Sequence, residues 1–337
     1  MTARRSPARN APAAPARPLD WLLDPAQPAV RARALRELLG RPETDPDVAA
    51  ARARLLTTGW VADLLRERDP SGGWGDGASQ YRPKYTSTHW KMLVLADLGA
   101  ERSEPTVEAA CERWIAGFPL RGGGVGGNSK GTGHLCVVGN MARALLRMGY
   151  VDDPRIERSM EWLAAAADPK GGWSCFGSGR NLDSWEALGA FAAYPRDRWT
   201  GAMARAVERG VEFFLERELH RQGARYAPWF RFHDPVHYYY DLLVGLDLVT
   251  ALGVTTDRRL DFALDHLRRR RRPDGRWDLD AVHPDVEGAP ARWFRDHPAD
   301  RPTPFALETP GAPSRMVTLR ALAVLRRIDG PDALASP

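Results

Sequence analysis

The chain has 337 residues, of which 43% are hydrophobic and 27% charged, and its mean hydropathy is −0.43. That profile excludes a membrane-embedded, collagenous or disordered chain and fits one large soluble domain. Lys and Arg (48) exceed Asp and Glu (43) by five, but Arg4, Arg5, Arg9 and Arg17 stand in an acid-free opening segment. The body is therefore near neutral, and nothing points to a nucleic-acid partner.

In chain order, residues 1–18 are rich in Ala, Pro and Arg and lack an apolar signal core, so they read as a disordered tail rather than a secretory leader. Short helices are expected at 19–24 and 28–40. After them a phrase recurs: Asp69-Pro-Ser-Gly-Gly-Trp74, Asp168-Pro-Lys-Gly-Gly-Trp173 and Pro273-Asp-Gly-Arg-Trp277. With Gly73, Gly123, Gly172, Gly223 and Gly275 as markers, the steps are 50, 49, 51 and 52 residues, the signature of a repeat architecture. Each marker lies between two helical patterns. Helices over 47–68, 104–117, 200–219 and 256–271 carry many charges. Those over 84–98, 133–148, 236–252 and 313–328 are richer in apolar residues. Between 153 and 167, Asp153 and Pro154 form a start signal, and Ile156, Met160, Leu163 and Ala167 make one apolar stripe. A nearly all-apolar helix over 182–194 follows.

About twelve helices, polar and apolar in alternation, imply an all-α fold: an (α/α)6 toroid over 19–330 with inner and outer layers, since each hairpin buries its inner face only against its neighbours. No apolar run approaches a membrane span. Cys111, Cys136 and Cys175 are far apart in sequence, as expected of reduced thiols in a cytoplasmic protein. The arginine run 268–272 sits at a helix C-terminus, where cations complement the dipole. Its alternative role is peripheral contact with anionic lipid at the inner membrane surface.

The Asp-x-x-Gly-Gly-Trp turns resemble those of the prenyltransferase and squalene–hopene cyclase α,α-toroid superfamily. So do Tyr85-Thr-Ser-Thr-His89-Trp90, Gly139-Asn140 and the passage from Glu308 through Ser314-Arg315 into Thr318-Leu-Arg-Ala-Leu. The resemblance covers about residues 19–328 and is closest to short, single-toroid, terpene-cyclase-like members. It implies a central cavity where glycine-rich turns and inner-helix N-termini converge, holding an isoprenoid or other hydrophobic small molecule. Acid-initiated carbocation chemistry would follow there. Tyr85, His89 and Trp90 would open one inner helix, His134, Cys136 and Asn140 the next, and Asp183, Trp185 and Glu186 the third. His237, Tyr240 and Asp241 would open the fourth, His237 and Asp241 sharing a face at i, i+4. Glu308 and Arg315 would flank the last.

Asp183, His237, Asp241 and His89 are the acid–base candidates, with Asp183 preferred. The other inward residues, with aromatic side chains such as Trp229, Phe230, Phe232 and Tyr238, would shape the pocket and stabilise cations. Where class II cyclases carry Asp-x-Asp-Asp-Thr, this chain reads Arg180-Asn181-Leu182-Asp183-Ser184, matching only the last Asp and the hydroxyl. The zinc-binding Asp-x-Cys of protein prenyltransferases is missing. His237 falls one residue from the family's histidine, whose place Tyr238 takes. No cofactor is therefore required and no metal ligands are assigned; zinc or magnesium stays open, with His233, His237 and Asp241 as the possible ligands and hydrogen-bonded histidines as the commoner fate. Two other readings are a non-catalytic toroid that binds a hydrophobic ligand or a protein, and an (α/α)6 carbohydrate-active enzyme using two of Asp183, Asp241 and Glu308.

Overall fold

The computed structural model describes residues 17–75, 77, 79–175, 179–221, 227–237, 239–283, 295–296 and 302–334. Most of the expected tail lies outside them, and its boundary moves slightly, because helix α1 already begins at Pro18 (Pro18–Leu22). The fold is all-α. Helix α2 (Pro28–Arg33) runs on into a π-helical turn (Ala34–Leu38), followed by α3 (Pro46–Ala53), α4 (Gly59–Arg66), α5 (Thr88–Asp97), α6 (Pro105–Gly117) and α7 (Leu135–Arg147). Then come α8 (Pro154–Ala165), α9 (Glu186–Ala193), α10 (Gly201–Glu216), α11 (Leu242–Ala251), α12 (Asp261–Arg269) and α13 (Arg315–Asp329). The one paired strand element described is a two-residue hairpin, Pro119–Leu120 with Gly124–Val125, turned by the second glycine marker. Among the described residues no helix is long and apolar enough to cross a membrane.

Contacts close the ring. Helix α5 packs on α7, α7 on α9, α9 on α11, α11 on α13, and α13 on α2 with its π-helical turn. Arg33 of α2 donates to the Asp97 carbonyl of α5 at 2.8 Å and completes the circle. These six inner helices alternate with outer ones. Every residue of α5 is buried, whereas outer α8 buries the stripe Ile156, Ser159, Met160 and Leu163 under an Asp153 cap with Pro154 behind it. At Gly139 of α7, an added Cβ would lie 2.6 Å from the Glu186 carbonyl carbon. Only glycine lets α7 and α9 approach so closely.

The repeated phrase is one physical device used three times. The N–H of Asp69, Asp168 and Arg272 donates to the carbonyl of Gly73, Gly172 and Arg276, each at 2.9 Å. Gly72, Gly171 and Gly275 take the left-handed conformation these turns need. The indoles of Trp74, Trp173 and Trp277 then plunge into the core. Each donates Nε1–H to a carbonyl ten residues back, on Leu64, Leu163 and Leu267, at 2.8, 2.9 and 2.8 Å. Each turn is thereby bonded to the last turn of the outer helix before it.

Three expectations need correction. The helix expected over 47–68 is broken at residues 54–58 into α3 and α4, with Gly59 at positive φ. Helix α9 starts at Glu186, so Asp183 precedes it. Helix α11 starts at Leu242, with Asp241 as its extended N-cap. His237 and Asp241 are therefore not one turn apart on a helix.

Candidate functional site

At the N-terminal ends of the inner helices, three segments converge. Residues 229–241 approach α11, residues 81–87 lead into α5, and the strand-like stretch after Trp277 ends at His283. They bring His89, His233, His237 and His283 together, all buried. Tyr85 is fully buried at φ +74, a conformation that costs a tyrosine about 1–3 kcal/mol and collects at functional sites. Its ring stacks on His283 with centroids 3.5 Å apart and lies nearly parallel to His237 at 5.3 Å. Trp90 meets both Tyr85 and His237 edge-on, at 5.0 and 5.2 Å.

The imidazoles differ in their partners. Asp241 caps α11 by accepting from the Val244 N–H at 2.8 Å through Oδ1. Its Oδ2 takes the His233 backbone N–H at 3.0 Å and lies 2.6 Å from His233 Nδ1. That carboxylate fixes the His233 ring and directs Nε2, which has no protein partner, away from itself. Neither ring nitrogen of His237 has a hydrogen-bond partner among the described residues. His89 Nδ1 accepts from the Trp114 indole at 3.3 Å, and His283 Nε2 accepts from the Phe305 N–H at 3.2 Å. Burial pushes His89 and His283 down to about 3 and holds His237 well below the ordinary imidazole range. These three imidazoles are neutral at physiological pH. Buried polar atoms are almost always satisfied, so three unpartnered ring nitrogens in one aromatic cage mark the site.

The start of α9 is tied through Trp229 to the chain segment that carries His233 and His237. Asp183 is half-buried and accepts from the Trp229 indole at 2.9 Å. Burial raises its carboxyl, and that indole bond draws it partly back. Glu186 is fully buried with Oε2 unpartnered, and burial pushes it well above the usual carboxylate range. Cys136 and Cys175, distant in sequence, meet here. The Cys175 thiol and burial both push Cys136 upward.

The remaining expected site residues divide. Trp90 joins the histidine centre. Tyr240 is core, its hydroxyl donating to the Leu219 carbonyl at 2.8 Å. Asn140 accepts from Arg143 at 3.1 Å, and Trp185 lies under the same guanidinium at 4.9 Å. His134 is exposed at the start of α7. Glu308 caps α13 through Ser314 and the Arg315 and Met316 N–H groups. Arg315 ties α13 to the chain start through Asp24 at 2.9 Å and the Trp21 carbonyl. Glu308 and Arg315 are thus helix-end and ring-closing groups. Tyr238 lies outside the described residues. The arginine run 268–272 is engaged within the protein: Arg268 pairs with Asp329, Arg270 with Asp280, and Arg272 with Asp278.

A cavity of about 360 Å³ opens at the opposite end of the ring, among the C-terminal halves of the inner helices. It is charged rather than greasy, lined by Arg33, Arg36, Arg143, Arg147, Arg320 and Arg327, with Glu37, Asp97, Glu101 and Asp247 among them.

His283 escapes the sequence reading, whereas His233, expected with His237 and Asp241 as a possible ligand set, is instead hydrogen-bonded to Asp241. His283 lies on no periodic pattern. The hydrogen bond itself was not legible, because an interaction across eight residues of irregular chain has no spacing signature. Among the described residues no group of three or more histidine, cysteine or carboxylate side chains is arranged to hold a metal ion.

No protein-family model matches the sequence, and no curated protein matches it. Among solved structures, the chain is similar to two variant forms of the type II terpene cyclase MstE from Scytonema, each in complex with geranylgeranyl dihydroxybenzoate. Identity is 16% in both, coverage is 81% of this chain and 95% of theirs, and the TM-scores are 0.32 and 0.33.

Proposed function

We propose that the ring is a terpene-cyclase-like or prenyltransferase-like catalyst acting on an isoprenoid or similarly apolar small molecule at the histidine centre. The observation that carries this reading is the set of buried, unpartnered nitrogens on His233 and His237 beside the faces of Tyr85 and Trp90. The Asp183 carboxyl, raised by burial, would give its proton to a substrate alkene, with the buried Glu186 at the same helix start. The new C–H bond uses the π pair and leaves a cation on the other carbon. Internal alkenes close rings onto that cation, and each aromatic face stabilises it by about 0.5–2 kcal/mol. An imidazole nitrogen of His233 or His237 then takes a proton from the carbon next to the final cation, and a new alkene forms. The proton gained at the start equals the proton lost at the end, so product and substrate have the same mass.

Incubation with polyprenyl substrates from farnesyl to squalene size, followed by gas chromatography and mass spectrometry, is expected to yield isomers of one substrate. Asp183→Asn is expected to slow their formation by about 100-fold or more. Unchanged substrate across the whole panel would contradict the proposal. The close stacking of Tyr85 on His283 favours a second reading, a toroid that retains an apolar ligand without transforming it. Solvent extraction of the purified protein would then recover that ligand unaltered.

A further inference from the structure

The charged cavity at the other end of the ring has no part in that chemistry, and its electrostatics are incomplete. Four of its guanidiniums have carboxylates of their own: Arg33 with Glu37 at 2.6 Å, Arg36 with Glu43, Arg147 with Asp97, and Arg327 with Asp247 at 2.7 Å. Arg320 faces Asp234 at 3.1 Å. Arg143 is left over. Its Nη2 donates to neutral oxygens, Asn140 Oδ1 and the Val236 carbonyl, both at 3.1 Å. The nearest carboxylate, Asp97, already holds Arg147 and stands 3.9 Å away. Its Nε has no partner although the residue is only 5% exposed.

Six inner helices aim their C-termini at this end, and that convergence accounts for some of the arginines. A helix dipole acts on cations within its last turn, where Arg147 and Arg327 stand. Arg143 and Arg320 lie deeper, more than a turn from the ends of α7 and α13. Dipoles do not explain them. Burial, more than the neighbouring Arg147 and Arg320, pulls the Arg143 guanidinium down to about 10, and Asp97 only partly opposes the shift.

We infer that this cavity is a second ligand site, distinct from the histidine centre, and that it takes a small oxyanion, phosphate or carboxylate, on Arg143 with Arg147 at its rim. The planar guanidinium matches such an anion in a fork geometry that a lysine lacks, and Trp185 covers its other face at 4.9 Å. A cavity of about 360 Å³ accommodates a diphosphate or a small polycarboxylate. The site also bears on the chain that carries the histidines. Arg143 and Arg320 donate to the Val236 and His233 carbonyls at 3.1 and 3.4 Å. An anion competing for those guanidiniums therefore acts on the floor of the histidine centre.

The test is calorimetric titration of the full chain with inorganic pyrophosphate and, separately, with citrate at matched ionic strength. Saturable binding of at least one probe is expected; pyrophosphate alone identifies a phosphate ligand and citrate alone a carboxylate. Arg143→Lys, which keeps the charge and loses the fork, and Arg147→Ala, at a half-exposed rim position, should each weaken binding by about tenfold or more. Absence of saturable binding by both probes would overturn the inference. So would binding that is equally tight in whichever of the two variants folds.

Discussion

Trp277→Ala is expected to destabilise the protein by about 3–5 kcal/mol, the range for removing a fully buried large aromatic side chain. Trp277 is 0% exposed, and its loss removes more than volume. Its indole N–H donates to the Leu267 carbonyl of α12, while its backbone N–H donates to the Thr318 hydroxyl oxygen of α13 at 3.0 Å. One side chain thus fastens an outer helix, a turn and an inner helix. Trp277→Phe keeps most of the packing and leaves the carbonyl unpaired, at a cost of about 1–3 kcal/mol. Trp74 and Trp173 stand in the same geometry and should behave alike. The check is equilibrium urea unfolding of the alanine and phenylalanine variants. A loss below about 1 kcal/mol for the alanine variant would mean that the repeated turn does not hold the ring together.

Asp241→Ala is expected to cost a comparable 3–5 kcal/mol or so, because it removes the partner of a buried His233 and the cap of α11 together. The informative comparison is Asp241→Asn. Asparagine is as good an N-cap as aspartate, so α11 should survive and the stability loss should be smaller. Its amide, however, donates toward His233 Nδ1 and drives the imidazole proton to Nε2. The free lone pair that the carboxylate holds open is then gone. On a substrate that the ring transforms, turnover is expected to fall by about 100-fold or more in both variants. Turnover that fell only in step with stability would make Asp241 a structural cap and nothing further.

The repeat, and with it the ring, was legible because its signal is a local phrase. Asp, Pro, Gly, Gly and Trp each answer a need of one turn, and that turn recurs. The face of α8 was equally legible from its stripe and its Asp153–Pro154 start. Helix α11 was placed six residues too early because residues 236–240 are apolar and aromatic and continue the apolar run of the helix. The better signal was Asp241, an N-cap residue standing directly before Leu242. The nature of the cavity was also written in the sequence. Arg143, Arg320 and Arg327 interrupt helices otherwise apolar enough to be inner, and an inner helix can turn such charges only toward the axis. The histidine centre was half legible. His89, His237, Tyr85 and Trp90 were found as inward residues near helix starts, whereas His283 is brought in by tertiary packing alone.

Proton occupancy of the imidazoles tests the site most directly, and the sign follows from burial. An imidazole whose folded value lies below its ordinary 6.5 contributes stability that is present above that value and is lost as pH falls toward the folded one. Each contributes about 1.4 kcal/mol per pH unit. Asp234, raised to about 7 by burial, works the other way: its contribution is present at low pH and lost as pH rises through about 7. Global stability sums these opposing terms, so the measurement must be made residue by residue. Long-range proton–nitrogen spectra of the histidine side chains, recorded from about pH 5 to about pH 8, supply it. His89, His237 and His283 are expected to stay neutral throughout, with His237 unmoved at both nitrogens. A His237 signal titrating with a midpoint near 6.5 would show an imidazole open to water, and the closed histidine centre would not exist.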